Sequence, residues 1–131
     1  IDEKGKRTEL YYIIRDLNRE IQALAPVFLG AVIDDVAFTG PEIPATTHRL
    51  TLLPDGFGEI SSDGPGIVVS QFHNADSRYI LLVNRDIDHA QTVTLPRPRG
   101  LKIFNTDGTT RPDNPTENIV IPPGGYYLIS L

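Results

Sequence analysis

GIVVSQFHNADSRYILLVNRD, residues 66–86, consists of two apolar runs joined by a short polar step, NADS, at 74–77. The step reads as a hairpin turn, since Asn and Asp accept the backbone angles that a tight reversal demands. GIVVSQF and YILLVN are then paired strands, and each is apolar on both sides. In the second, Ile80 and Leu82 oppose Tyr79, Leu81 and Val83, because successive side chains of a strand point to opposite faces. Such a strand needs cover twice. In a sandwich the inner face packs on a partner sheet. The outer face then calls for a further layer: a helix, a neighbouring domain, or both.

A helix is available upstream. Leu10, Ile13, Ile14, Leu17, Ile21 and Leu24 recur at three- and four-residue steps and share one face. Arg15, Asp16, Arg19, Glu20 and Gln22 fall largely elsewhere on the cylinder. Thr8 is placed to cap the start by accepting a backbone hydrogen bond. Pro26 disfavours helical angles in the residue before it, so the spacing predicts a helix from about Glu9 to Ala25.

Beyond Pro26 the punctuation changes. Short runs of Val, Ile, Leu and Phe alternate with Gly, Pro, Asp and Asn, the pattern of an all-β domain. The runs predict strands at Ala31–Phe38, His48–Leu53, Gly66–Phe72, Arg78–Asn84, Thr92–Leu95, Leu101–Asn105, Asn118–Ile121 and Tyr126–Leu131. Thr39 to Thr47 reads as a loop crossing an edge, and TDGT at 106–109 as a second hairpin turn. QTVTL alternates, Val93 and Leu95 against Thr92 and Thr94, as a strand with one wet face does. The predicted fold is mainly β: an antiparallel two-sheet β-sandwich of about eight strands with one N-terminal amphipathic α-helix. Residues 1–27 form the helix and its connection, and residues 28–131 the sandwich.

The chain closes on IVIPPGGYYLISL, residues 119–131. Pro122 and Pro123 cannot donate to a ladder, and Gly124 and Gly125 permit a tight reversal, so the last strand folds back onto the sandwich. Tyr127, Ile129 and Leu131 are expected to face the core while Ser130 points away.

Composition sets outer limits. With 131 residues the chain has the size of one domain and buries roughly two-thirds of its unfolded surface. A net charge of −5 with scattered basic residues gives no basic patch for nucleic acid. No apolar run approaches the roughly 20 residues that span a bilayer as a helix. Cysteine is absent, which removes disulfides and thiolate metal sites. Methionine is absent too, so the chain is expected to be a processed or excised piece of a longer product. Localisation stays open, with secretion or a periplasmic site among the outcomes.

Residues for chemistry are scarce. His48, His73 and His89 lie far apart and in no metal-ligand spacing. Asp34 and Asp35 are adjacent, which in a strand turns them to opposite faces. Glu59, Asp63, Asp86 and Asp88 stand in or beside turns, where Asp serves the backbone. A calcium site at Asp86, Asp88 or loop carbonyls lacks the regular oxygen spacing of an EF-hand. Ser61, Ser62, Ser70, Ser77 and Ser130 form no nucleophile elbow. The glycines of PDGFGEISSDGPG have no Lys-Ser/Thr after them to make a phosphate cradle. Phe38, Phe57, Tyr126 and the Tyr11–Tyr12 pair are the aromatics that a sugar platform would draw on, and aromatics in strands more often pack in cores. No catalytic, cofactor-binding or metal-ligating residue is assigned, and no cofactor is expected.

Several of these stretches together carry a resemblance. ELYYIIRDLNREIQALAPVFLGA resembles the last helix of a catalytic (β/α)8 barrel and its lead into a following strand. GIVVSQFHNADSRYILLVNRD, QTVTLPRPRGLKIFNTDGTT and IVIPPGGYYLISL resemble the C-terminal β-sandwich of multidomain glycoside hydrolases, where a YxLxVN strand, a DG hairpin and a terminal PPG turn recur. The likeness is weakest from Gly40 to Pro65. It implies a non-catalytic accessory domain of a carbohydrate-active hydrolase, packed beside and stabilising a barrel that carries the catalytic acid and nucleophile. The implied partner is the upstream barrel of the same polypeptide, and an isolated chain is expected to dimerise through its exposed docking face. The alternative is a carbohydrate-binding module with its own site for an oligosaccharide or polysaccharide. A small independent hydrolase using the scattered carboxylates ranks below both.

Overall fold

Glu9–Phe28 forms one helix, α1, in a computed structural model that describes residues 1–131. Thr8 occupies the N-cap position in extended conformation, but its side chain makes no capping hydrogen bond, contrary to expectation. Pro26 does not stop the helix at Ala25 either. A proline deletes a single donor, and here the loss falls in the last turn. Burial of Val27 and stacking of Phe28 on Phe72 at 5.4 Å carry the turn onward to Phe28. The Leu29 amide, bonded at 2.8 Å to the Ala25 carbonyl, closes the end. No helix is long and apolar enough to cross a membrane.

Nine strands follow: β1 (Val32–Phe38), β2 (Ser61–Ser62), β3 (Ile67–Asn74), β4 (Ser77–Asn84), β5 (Gln91–Thr94), β6 (Lys102–Phe104), β7 (Thr110–Pro112), β8 (Ile119–Ile121) and β9 (Tyr126–Ser130). They make two antiparallel sheets, of order β1-β3-β4-β9-β6-β7 and β2-β5-β8. The mainly β, two-sheet architecture with one N-terminal helix is as read from the sequence. The NADS step turns β3 into β4, with Ala75 at φ 52°, and TDGT turns β6 into β7, with Gly108 at φ 82°.

Three local expectations need correction. His48–Leu53 is not a strand. It touches β1 through a single parallel bridge, Phe38 to Arg49, in which the Phe38 amide donates to His48 and the Leu50 amide to Phe38. Pairing cannot continue because β1 ends at Phe38, and just beyond it the backbone of Thr39–Gly40 crosses Pro65–Gly66. A Cβ on Gly40 would lie 2.1 Å from the Pro65 carbonyl oxygen. The leucines serve packing instead, Leu50 and Leu53 lying against the core. Two short strands, β2 and β7, were not expected from their polar composition. Leu131 is 40% exposed rather than in the core, because the last ladder pairs end at Ser130.

Register explains the core. Directly opposed residues share a face, so Ala37–Val69–Leu82–Tyr127 and Gln71–Ile80–Ile129–Ile103 are two rows across the inner face of the large sheet. Val93, Leu95, Leu101, Ile119 and Ile121 meet them from the small-sheet side, and this cluster is the sandwich core. Leu50, Leu53, Phe57 and Ile60 pack on its rim.

Candidate functional site

The outer face of the large sheet is apolar as well. Ile33–Phe72–Tyr79, Val36–Ser70–Leu81–Leu128 and Phe38–Val68–Val83–Tyr126 run across it as three rows. The C-terminal part of α1 covers one portion. Leu24 and Val27 are buried there with Phe72 and Leu128, against Tyr79, Leu81, Phe104 and Tyr126. Phe28, Phe72, Tyr79 and Phe104 form a run of neighbouring rings with centroids 5.1 to 6.1 Å apart. The helix is therefore one of the two covers that the doubly apolar strands require.

Polar ties fix its position. The Asn74 amide donates to the carbonyls of Pro26, Val27 and Leu29, groups at the helix end with no helical partner. The Tyr126 hydroxyl donates to the Glu20 carboxylate. Burial, reinforced by Glu20, pushes the Tyr126 phenol well above its usual pKa, so it stays a donor. Gly108, at the tip of the β6–β7 hairpin, faces the Ala23 carbonyl so closely that a Cβ would approach it to 2.6 Å.

The remainder of this face is uncovered. From Glu9 to Arg19 no residue of α1 is buried, and Leu10, Ile13, Ile14, Leu17 and Ile21 are 47–62% exposed. On the sheet, Ile33 and Val36 of β1 are 60% and 39% exposed. Between helix and sheet runs an apolar groove of about 390 Å³, walled by Leu17, Ile21, Leu24 and Phe28 and floored by Leu81, Val83 and Tyr126. Single exposed apolar residues are ordinary on a protein surface, but a continuous patch marks an interaction site.

The residues weighed for chemistry are dispersed. Asp35 bonds His48 at 2.7 Å and Asp34 bonds His73 at 2.9 Å. A register shift between Ile33 and Asp35 leaves Asp34 without a ladder partner, so the adjacent carboxylates serve different histidines. Asp86 accepts the Asp88 and His89 amides and pairs with the His89 ring. These bonds, the Asp88 amide first, hold its carboxyl below the usual range. Asp63 accepts the Thr92 amide at 2.7 Å. No three His, Cys, Asp or Glu side chains gather where a metal could sit. Among the aromatics, Phe57 packs on the core, Phe38 lies under Arg85, and Tyr11 and Tyr12 lie under Arg7 and Arg15. Tyr126 is engaged by Glu20.

Two buried polar clusters escaped sequence reading. Arg97 and Asp113 form a bidentate pair at 2.6 and 2.9 Å, with side chains only 2% and 1% exposed. The remaining Arg97 donors go to the Leu95, Asn114 and Glu117 carbonyls, and the Tyr127 hydroxyl donates to Asp113. Asn84 and Gln91 form the second cluster, where Gln91 bonds both backbone groups of Gly66 and Asn84 reaches the His89, Ile121 and Pro122 carbonyls. Both clusters join strands and loops. A Pro-Arg-Pro-Arg step reads as a loop, and only a count of buried partners reveals the pair. Compared with family models, curated proteins and solved structures, this chain matches none.

Proposed function

We propose that this chain is a non-catalytic accessory β-sandwich of a carbohydrate-active hydrolase, and that it packs against the catalytic domain and stabilises it. One observation carries the reading: the apolar outer face formed by the free half of α1, the exposed Ile33 and Val36 of β1, and the groove floored by Leu81 and Val83 of β4. Water is a poor neighbour for that surface, at roughly 25 cal/mol for each Å² of apolar area left exposed. The dispersal of carboxylates and histidines into local pairs supports a structural role over a catalytic one. The glycoside hydrolase assignment rests on the resemblance of the strand and turn motifs.

The test expresses the polypeptide encoded upstream of Ile1 separately and mixes it with this chain. The expected result is a one-to-one complex, formation of which removes binding of a hydrophobic dye to the free chain. Absence of a complex, with the dye still bound, contradicts docking. An upstream polypeptide without glycosidase activity in the joined form contradicts the hydrolase assignment.

A further inference from the structure

We propose that a groove at the rim of the sandwich, where β9, the β6–β7 hairpin and β8 meet, binds the uronate residues of an acidic polysaccharide. The sugar class rests on the carbohydrate-active reading above. The site itself is separate: its central pair, Arg111 and Tyr127, stands on the inner face of the large sheet, opposite the docking face.

Backbone register creates the groove. β9 keeps β6 as a neighbour for two pairs, Lys102–Ser130 and Ile103–Ile129. Beyond them the strands part, since β6 ends at Phe104 and turns into its hairpin. β8 ladders with β5 and brings Val120 and Pro122 to the same gap. The opening measures about 490 Å³.

One cation in it is uncommitted. Ile103 opposes Arg111 across the hairpin, so Arg111 extends an inner-face row to the sheet edge. It is exposed and makes no ion pair, and its guanidinium carbon lies 5.8 Å from the centre of the Tyr127 ring. Asp113 is the carboxylate whose charge it meets, and Arg97 already neutralises that group through two bonds of 2.6 and 2.9 Å. Arg111 is the one charged residue lining the groove. The Glu20 and Asp107 carboxylates line a different groove, beside α1. In a chain of net charge −5, a lone cation in a groove free of carboxylates selects for an anion.

The other lining groups favour a sugar acid over a bare anion. A guanidinium fork matches a carboxylate with two parallel hydrogen bonds. Asn105 commits an amide hydrogen to the Thr109 hydroxyl, which leaves its carbonyl oxygen for a ligand hydroxyl, and Thr106 adds a hydroxyl of its own. Val120, 64% exposed, and Pro122 offer apolar contact to the C–H face of a pyranose ring. Apolar walls with a few convergent polar groups are the usual make-up of a small-molecule site.

NMR titration of the free chain with a galacturonate trimer, the neutral galactose trimer and acetate tests the site. The expected result is saturable amide shifts confined to residues 103–111 and 120–127 with the galacturonate trimer. The neutral trimer binds about tenfold more weakly, the worth of a charge-assisted bond pair, and acetate produces no shift there. Arg111→Gln lowers galacturonate affinity to that of the neutral trimer, while Arg78→Gln, an exposed position on β4, leaves it unchanged. Absence of saturable shifts, equal affinity for the neutral trimer, equal shifts with acetate, or native affinity in Arg111→Gln overturns the site. A chain that docks on the catalytic domain and binds no trimer overturns the site alone. A chain that binds the trimer and fails to dock overturns the accessory reading alone.

Discussion

The side-chain amide of Asn74 lies 2.7 Å from the carbonyl oxygen of Leu29, joining the tip of the β3–β4 hairpin to the end of α1. The same nitrogen is 3.0 Å from the Val27 carbonyl and 3.3 Å from that of Pro26. One turn residue thus satisfies the helix end and holds the helix layer on the sheet.

Asn74→Ala is expected to cost about 1–2 kcal/mol, the penalty for stranding partly buried carbonyls. Urea unfolding measures the loss, and amide exchange should quicken from Leu24 to Leu29 while β4 and β9 remain protected. Uniform exchange along the chain would show that Asn74 does not hold the helix.

Gly108→Ala is expected to lose more stability than Gly100→Ala. Both glycines have positive φ, at 82° and 88°, so each alanine bears a similar backbone strain of about 1–2 kcal/mol. A Cβ at Gly100 meets open space, whereas one at Gly108 meets the Ala23 carbonyl. Equal losses in denaturant titrations would remove the hairpin from the helix contact.

Asp113→Ala is expected to cost about 3–5 kcal/mol, since Arg97 is left buried and unpaired. Acid should act on the same pair. Burial acts to raise the Asp113 pKa, yet the hydrogen bonds and charge of Arg97 overcome it and hold the carboxyl below its usual range. A depressed carboxyl contributes stability that is whole above its unfolded value of about 3.9 and is lost as pH falls through the folded value. Urea titrations at neutral and acid pH should therefore find the native chain losing more stability than Asp113→Asn. Parallel losses would contradict the assignment.

Ile129→Ala is expected to cost about 2–5 kcal/mol, since the side chain is fully buried between Ile80 and Ile103 in the sandwich core. A loss below about half a kcal/mol, the range for surface positions, would place it elsewhere.

Apolar runs bounded by turn residues made the sheets legible, because hydrophobic pattern and turn chemistry act over a few residues. YILLVN also announced a second covering layer, as neither of its faces could meet water. What stayed hidden depends on distant partners. His48–Leu53 has a strand's composition, but Gly40 and Gly66 cross so tightly that no ladder extends beside it. Pro26 lies inside α1 because Phe72 and Asn74, nearly fifty residues on, hold the final turn. The stripe from Leu10 to Ile21 was legible as one face of a helix. Its exposure was not, since periodicity reports which residues share a face and not what lies against it.

Hydrogen exchange at amides 9–21 tests the central claim, that this stripe and the adjoining strands are covered by a partner. It is to be measured in the free chain and in the chain joined to the catalytic domain proposed above. The account predicts fast exchange in the first and strong protection in the second, with Val32 to Val36 following the same trend. Equal exchange in both would mean that the outer face meets water throughout, and the docking account would fall.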